Sequence, residues 1–579
     1  MKVDIQSKVT LVFPMAGQGS RFQYKFKPFL QFCGKTFIEN AVEPFIKYKS
    51  KIERVVFIFT QEQEKDNAVS AFLTETFGNI FKVDCVILPK QTDNQYQTVS
   101  QGLLNSKVSG EIIVCDCDHR LNVDCFFRGD LVSKSECVVP VWKIDLDEVK
   151  HWSVIGLNRN MQPISIAEKS VPSEGETYFG CIGCTYFRNA SSMLDVDDDT
   201  TAVSQVIRKM IEKRCVRIVE IYEGYFFGDQ EKLNNLEEER ESLLLSAENV
   251  FDLEGGSLAK TSIVKLSGGK MVVRKSANKN FKIDLGYTKL KQQYNRMRFL
   301  YKLMPQNVAQ PIHEFENDEV YFYDLDYLAG YKELHKFKKE EISTCLDKVL
   351  KTLNDNCYSG VNRVSLPTDN SWLENHLEIK VTPKLEQVSR IGNPFNSIVN
   401  GDIFYVNGYS CYGLRHSLEM IKKYHDLLRP RFLCAVHGDL TFSNIMYNEE
   451  DFYIIDSDGA DQFDNPMLDF GKLCQSILGR YEKWCNEDIA VIENSSYDFE
   501  APTIRTYKEL ESLSGLTEYW SAILNVSDTE LKPMAYFYCG LHFIRMIPFR
   551  LEVGREQALY ALILAGFYLS KAFDKLERE

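Results

Sequence analysis

Short apolar runs, each followed by a stretch of helical spacing, recur through the first 230 positions: Val9–Phe13, Val55–Phe59, Cys85–Leu88, Glu111–Cys115 and Cys137–Val141. Strands of this kind are buried on both faces. Alternating with helices, they specify an α/β fold with a doubly wound, mostly parallel, Rossmann-like sheet. The pattern stops at the charged, helix-like stretch Glu231–Asn249, and Phe251–Leu266 returns to short strands around Gly255-Gly256. From about 285 the long helical patterns Leu290–Leu303, Glu340–Leu353 and Tyr412–Leu428 take over, and Ser389–Tyr412 reads as a loop or short hairpin between them. A chain of 579 residues also exceeds what one core usually serves. Two domains are expected, at about 1–240 and 245–579. The second divides into a strand-rich N-lobe (about 245–330) and a helical C-lobe (about 331–579), a bilobal α+β arrangement.

Composition narrows the classes of function. Hydrophobic residues at 44% and charged residues at 26% fit a globular chain and leave no room for a mostly disordered one. With 68 Lys+Arg against 82 Asp+Glu, a net charge of -14 argues against a nucleic-acid partner. Sixteen cysteines over this length are too dilute for a disulfide scaffold and fit reduced thiols in a cytoplasm. The first residues read as a strand, not a secretory leader, and the apolar stretch Ala558–Ala572 is too interrupted to span a membrane.

The first strand runs into Ala16-Gly17-Gln18-Gly19-Ser20-Arg21-Phe22, followed by Lys27-Pro28. Small residues there let backbone N–H groups approach a phosphate, and Arg21 and Lys27 supply charge. The third glycine of a dinucleotide fingerprint would fall at Phe22, which excludes that motif. The run Glu111–Cys115 ends in Asp116-Cys117-Asp118, two carboxylates at a strand's C-terminal end, where doubly wound sheets bind ligands. The combination Gly17-x-Gly19-x-Arg21-Phe22 with Lys27-Pro28 resembles the signature of nucleotidyltransferases that make nucleoside-diphosphate sugars and related compounds such as CDP-choline. That resemblance implies Mg²⁺ at Asp118, with Asp116 in a lesser share. It also implies nucleotide contacts from Ala16, Gly17, Gly19, Gln97 and Thr98, and contacts to the sugar and its phosphate from Glu168 and Lys169. Tyr178-Phe179-Gly180 and Gly183–Phe187 resemble the strand that closes the acceptor pocket. One departure stands out: the family's late metal aspartate falls at Phe226, in Phe226-Phe227-Gly228-Asp229. Asp229 takes that role from a shifted position, one carboxylate fewer suffices, or this half is catalytically weak.

In the second half, His437-Gly438-Asp439-Leu440-Thr441-Phe442-Ser443-Asn444 precedes Ile455-Asp456-Ser457-Asp458. The Asp439-to-Asn444 spacing is that of the kinase catalytic loop, with Asp456 in the place of the later metal aspartate. Glycine at 438 and Asp-x-Asp make the segment similar to the aminoglycoside phosphotransferase and choline kinase family, which has a protein-kinase-like fold. The resemblance implies Asp439 as the catalytic base. Asn444, Asp456 and Asp458 would hold Mg²⁺, and Gly255-Gly256 would form the nucleotide loop. The phosphate-binding cation would be Arg274 or Lys275, which strand alternation puts on opposite faces. Gln293 stands where that cation's partner glutamate is expected, Tyr327–Tyr331 resembles the hinge, and Asp469 is structural.

Two bland alternatives have more weight than their exotic counterparts. Cys181-x-x-Cys184 with Cys115-x-Cys117 sits in apolar strand patterns, as buried free cysteine does, and Asp456-x-Asp458-Gly459 lacks the remaining ligands of a calcium loop. Together the resemblances imply a bifunctional enzyme. One half phosphorylates a small hydroxyl compound with ATP; the other couples that phosphate, favoured as a sugar 1-phosphate, to a second NTP for surface (capsule) polysaccharide synthesis. The alternatives are a choline, ethanolamine or polyol kinase with a CTP-dependent cytidylyltransferase, or a first half that only binds. The partners expected are nucleotides and small molecules, and a homo-oligomer remains compatible.

Overall fold

The structure, a computed structural model, describes residues 8–19, 22–127, 135–145, 148–194, 200–222, 224–228, 230–253, 259–267, 269–279, 286–360, 363–366, 371–458, 461–485, 492–493, 497–498, 505–513 and 515–578. Its contacts divide the chain into two units, Met1–Ser246 and Ala247–Glu579.

Besides the short antiparallel pair Gln31–Phe32 and Lys35–Thr36, the strands of the first unit are β1 (Val9–Pro14), β2 (Ile52–Thr60), β3 (Val83–Leu88), β4 (Ile112–Cys115), β5 (His119–Leu121), β6 (Cys137–Lys143), β7 (Ser153–Leu157), β8 (Pro163–Glu168), β9 (Thr177–Cys181), β10 (Cys184–Phe187), β11 (Val216–Glu220) and β12 (Gly224–Phe226). Ten of them form one sheet in the order β8-β7-β9-β6-β10-β4-β1-β2-β3, with β11 beside β6. The expected parallel order holds for β4-β1-β2-β3, with Leu11 opposite Val55 on one side and Ile113 on the other, whereas the equally apolar run Cys137–Val141 forms β6, which has antiparallel neighbours in β9 and β10. Every side chain from Val55 to Phe59 is fully buried in β2, each contributing about 1.5–3 kcal/mol. Beyond β4 the sheet continues with antiparallel pairs, β10 on β4 and β9 on β6 and β7. From β7 to β10 the strands follow one another through short connections, and the helix Val203–Glu212 then crosses over to β11, which pairs parallel with β6. Between β3 and β4 runs helix α1 (Gln95–Ser106), capped by the Asn94 side chain, which accepts from the Gln97 N–H. Strands β5 and β12 form a separate two-stranded ladder.

The second unit opens with a five-stranded antiparallel sheet of β13 (Glu248–Leu253), β14 (Lys260–Lys265), β15 (Met271–Asn278), β16 (Pro311–Glu316) and β17 (Val320–Asp326), ordered β13-β14-β15-β17-β16. Helix α2 (Tyr287–Leu303) lies between β15 and β16. The rest is mainly helical, with α3 (Thr382–Ser389), the hairpin β18 (Ile445–Tyr447) and β19 (Phe452–Ile454), α4 (Met467–Ile477), α5 (Asp528–Val553) and α6 (Arg555–Arg578). The expected hairpin before 412 is present, with Asn407-Gly408 in left-handed backbone between Ile403–Val406 and Tyr409–Tyr412. The single helix expected over 412–428 is broken into Leu414–Met420, Ile421–Tyr424 and His425–Leu428. None of the sixteen cysteines is in a disulfide. Among the described residues no helix is long and apolar enough to cross a membrane.

Candidate functional site

In the first unit the chain leaves β1 through Met15–Gly19, and the Met15 N–H donates to the Ile58 carbonyl at 2.7 Å, which anchors the turn to the C-terminal ends of β1 and β2. Around a Cβ at Gly17 there is open space; Gly19 has φ +64° with the Lys25 carbonyl where a Cβ would stand. The Gln91 side-chain amide donates to the Ala16 carbonyl. Arg21 lies outside the described residues.

Lys27, in the short helix Lys27–Phe29, places its Nζ 2.5 Å from Asp118 Oδ2. Asp116 begins the segment leaving β4; its N–H donates to the Gly183 carbonyl at 2.6 Å, and the Gln95 side-chain amide, from the first turn of α1, donates to Asp116 Oδ1. Burial, then the Asp118 charge, raises the Asp116 carboxyl to about 7. Burial would raise Asp118 as well, but Lys27 and His119 outweigh it and hold that carboxylate below its ordinary range. One carboxylate is thus fixed in its charged form and its neighbour is poised near neutrality. Two carboxylates beside an ammonium offer oxygen donors of the kind Mg²⁺ takes.

Gln97 and Thr98 serve the loop before α1: Gln97 Oε1 accepts from the Asp93 N–H at 3.0 Å, and Thr98 Oγ1 lies 2.6 Å from Thr92 Oγ1. Glu168, at the end of β8, accepts from Ser153 Oγ at 2.6 Å and Ser204 Oγ at 2.8 Å. Lys169 follows it in left-handed backbone with φ +52°.

Phe226 stands where the resemblance drawn from the sequence leads one to expect a metal aspartate. Pairing of β12 with β5 sets it opposite His119, and its ring packs edge-on against Trp142 at 5.0 Å and Trp152 at 5.1 Å. Asp229 lies outside the described residues. Phe227 is buried against Phe32 and Phe37 while its N–H donates to the Asp118 carbonyl at 3.0 Å. Antiparallel pairing sets Cys184 opposite Cys115, and these two with His119 form a buried group whose ligand atoms lie within 4.8 Å of one another. Among the described residues Cys117 and Cys181 do not join it.

In the second unit, Gly438 has φ +81°, and the Asp458 carbonyl would lie 2.1 Å from a Cβ there. An arginine cannot occupy this position. The buried Asp469 carboxylate accepts from the N–H groups of His437 at 2.8 Å and Gly438 at 2.6 Å and from the Tyr358 hydroxyl at 2.7 Å. It therefore holds the loop. The His437 ring bridges the same segment, with Nε2 2.8 Å from the Ile455 carbonyl and Nδ1 accepting from the Asp439 N–H, which fixes the proton on Nε2. Asn444 Nδ2 donates to Asp439 Oδ2 at 3.0 Å, so its amide oxygen is left as the acceptor end. Asp456, with φ +59°, receives Lys275 Nζ at 2.5 Å.

Of the two candidate cations on β15, Lys275 is the one on the Asp456 side. Arg274 is corrected: it points to the opposite face and forms a two-pronged pair with buried Asp324, at 2.8 and 3.0 Å. Gln293 Oε1 accepts from the Tyr323 hydroxyl at 2.8 Å. Gly255 and Gly256 lie outside the described residues. The oxygen donors Asn444, Asp456 and Asp458 also suit Mg²⁺.

Four residues at these sites escape a reading of the sequence. Gln95 and His119 flank expected positions and are revealed only by their reach to the aspartates. Lys472 Nζ lies 2.9 Å from Asp439 Oδ1, one turn beyond Asp469 on α4, and Arg545 Nη2 lies 3.5 Å from Asp458 Oδ2, from a helix with no motif of its own.

No family model matches the chain, and no curated protein matches it. Among solved structures, it is similar to a nucleoside-diphosphate-sugar pyrophosphorylase from Vibrio cholerae RC9, with 20% identity over 39% of this chain and 98% of that one and a TM-score of 0.33. It is also similar to HddC from Yersinia pseudotuberculosis, with 17% identity over 40% of this chain and 99% of that one and a TM-score of 0.31. Likeness at such scores assigns no activity, which rests on the side chains of the two sites.

Proposed function

We propose that the chain carries out two successive transfers. The second unit moves the γ-phosphoryl group of ATP to a small alcohol, and the first couples the resulting phosphate, favoured as a sugar 1-phosphate, to an NTP. The observation that carries this is the same device in both units: two carboxylates at a strand's end, one of them held by a lysine from elsewhere in the fold. Lys27 holds Asp118, and Lys275 holds Asp456.

In the second unit the acceptor hydroxyl oxygen bonds to the γ-phosphorus, the bond to the ADP oxygen breaks, and Asp439 receives the hydroxyl proton. Asn444 fixes the Asp439 carboxylate, and the His437 and Asp469 contacts fix the loop that bears it. Lys275 neutralises phosphate charge. In the first unit a phosphate oxygen of the acceptor bonds to the α-phosphorus of the NTP and pyrophosphate leaves. Lys27 and the open turn at Gly17 take the triphosphate, while Glu168, oriented by two serines, takes the acceptor's hydroxyls. Mg²⁺, bound by Asp116 and Asp118 in one unit and by Asn444, Asp456 and Asp458 in the other, would supply charge neutralisation along the phosphates. Joining both steps in one chain keeps the intermediate near its second site.

The test is separate measurement of ADP and pyrophosphate release. ADP release should need the alcohol and be lost in Asp439→Asn. Pyrophosphate release should need the phosphorylated acceptor and be lost in Asp118→Asn. Undiminished release of either product in its variant overturns the corresponding assignment.

A further inference from the structure

The second unit gathers more positive charge around Asp439 and Asp458 than a nucleotide-binding lysine accounts for. Lys472, on α4, lies 2.9 Å from Asp439. Arg545, on α5, lies 3.5 Å from Asp458, and Lys289, in the first turn of α2, 3.9 Å. Lys384, on α3, donates to the Arg545 carbonyl at 2.6 Å, which places a fourth cation in the same group. Lys380, just before α3, adds its charge: with Arg545 and Lys384 it joins burial in keeping His376 neutral, down to about 3. Burial, then Arg545 and Lys289, brings Lys384 itself down to about 8. Five cations therefore gather around Asp439 and Asp458, with the Asp464 carboxylate also within reach of Arg545, before any metal ion is added. Lys275, the cation beside Asp456, is not among them.

Their placement separates them from the phosphate-binding lysine. Lys275 comes from the sheet, whereas Lys380, Lys384, Lys472 and Arg545 come from the helical part, Lys472 beside Asp439 and the others toward Asp458. They also frame a surface. The Phe549 ring is 37% exposed, with Lys384 Nζ 5.0 Å and Lys289 Nζ 5.6 Å from its centroid. An apolar ring face bordered by ammonium groups fits a molecule with a flat carbon skeleton and a negative charge, and opposes a quaternary amine.

We propose that the alcohol phosphorylated by the second unit is anionic, a hydroxyl compound bearing a carboxylate or a phosphate, held by Lys384, Arg545 and Lys289 against Phe549 with its reacting hydroxyl at Asp439. This rests on the kinase reading above and narrows its substrate. The transfer is unchanged: the hydroxyl oxygen gains the phosphoryl group, its proton passes to Asp439 and ADP departs. The anionic group takes no part in bond making.

The experiment uses the full chain with Mg²⁺ and ATP and follows ADP release with matched acceptors: glucose against glucuronate and glucose 6-phosphate, glycerol against glycerate and glycerol 3-phosphate, and choline. An anionic member should exceed its neutral partner at least about tenfold in kcat/KM, and its KM should climb with added salt as the cations are screened. In Lys384→Gln and Arg545→Gln the KM for that acceptor should rise about tenfold or more, with the KM for ATP within about twofold of the parent. Lys384→Arg should restore most of the loss, which a merely misfolded variant would not allow. A preference for glucose, glycerol or choline overturns the inference and leaves the kinase standing. A rise in the ATP KM instead assigns the cations to the nucleotide and also overturns it. ADP release with no acceptor of any charge contradicts the kinase reading itself.

Discussion

Replacing Gly438 by alanine tests the loop geometry of the second unit with one methyl group. The residue sits at φ +81°, a conformation that costs an L side chain about 1–2 kcal/mol. Its new Cβ would stand 2.1 Å from the Asp458 carbonyl oxygen. Ordinary C···O contact begins near 3.3 Å, so one side of the loop must move by roughly 1 Å. Both sides bear proposed catalytic groups, Asp439 on one and Asp456 and Asp458 on the other. A displacement of about 1 Å at reacting groups costs on the order of a hundredfold in rate. Gly438→Ala should therefore lower kcat/KM for ADP release about a hundredfold. Pyrophosphate release from a pre-phosphorylated acceptor, which belongs to the first unit, should stay within about twofold. Denaturant unfolding followed alongside should show a loss of only about 1–3 kcal/mol in the second unit. Phosphorylation at the parent rate in a folded Gly438→Ala protein would refute the close packing of these two segments and the catalytic role built on it.

Other contacts of the two sites carry their own expected outcomes. Gly183→Ala would bring a Cβ within 2.0 Å of Asp116 Oδ2, so pyrophosphate release should fall at least about tenfold and need more Mg²⁺; an unchanged Mg²⁺ requirement would remove Asp116 from the metal site. Lys275→Met should lower ADP release about a hundredfold in a folded protein. Arg274→Met should instead cost about 2 kcal/mol of stability, since it takes the two-pronged partner from buried Asp324 and leaves it only the His313 imidazole at 3.2 Å, and unfolding curves with ATP kinetics for the pair decide between the two assignments. Because the Asp116 carboxyl is raised to about 7 and only its ionised form ligates, apparent Mg²⁺ affinity in the first unit should be full above neutrality. It should fall roughly tenfold per pH unit below it; titrations of pyrophosphate release that do not change between pH 6 and 8 would contradict this.

What the sequence makes legible is local. Continuous apolar runs announce the parallel strands, and two aspartates after such a run announce a site at its end, because both depend on spacing within a few residues. The antiparallel flank is less legible, since short strands such as Ser153–Leu157 and Cys184–Phe187 leave no crossover to betray their direction. Strand alternation could say that Arg274 and Lys275 face apart; only pairing with Asp324 and Asp456 says which faces where. The cations around Asp458 come from Lys289, Lys384, Lys472 and Arg545, on four helices far apart in sequence. No spacing rule connects them. Phe226 is the reverse case: the resemblance leads one to expect a carboxylate at that position, and the structure has the indoles of Trp142 and Trp152 packed on the phenyl ring there.

The central claim is that one chain performs two ordered transfers. A single ³¹P NMR time course of the full-length protein tests it, with Mg²⁺, ATP, the other ribonucleoside triphosphates, dTTP and a mixture of alcohols. The account predicts a phosphomonoester that rises and then falls as a diphosphodiester and pyrophosphate appear. Asp439→Asn should abolish both signals, and Asp118→Asn should leave the phosphomonoester to accumulate. A diphosphodiester formed undiminished by Asp118→Asn, or a phosphomonoester formed undiminished by Asp439→Asn, would contradict it.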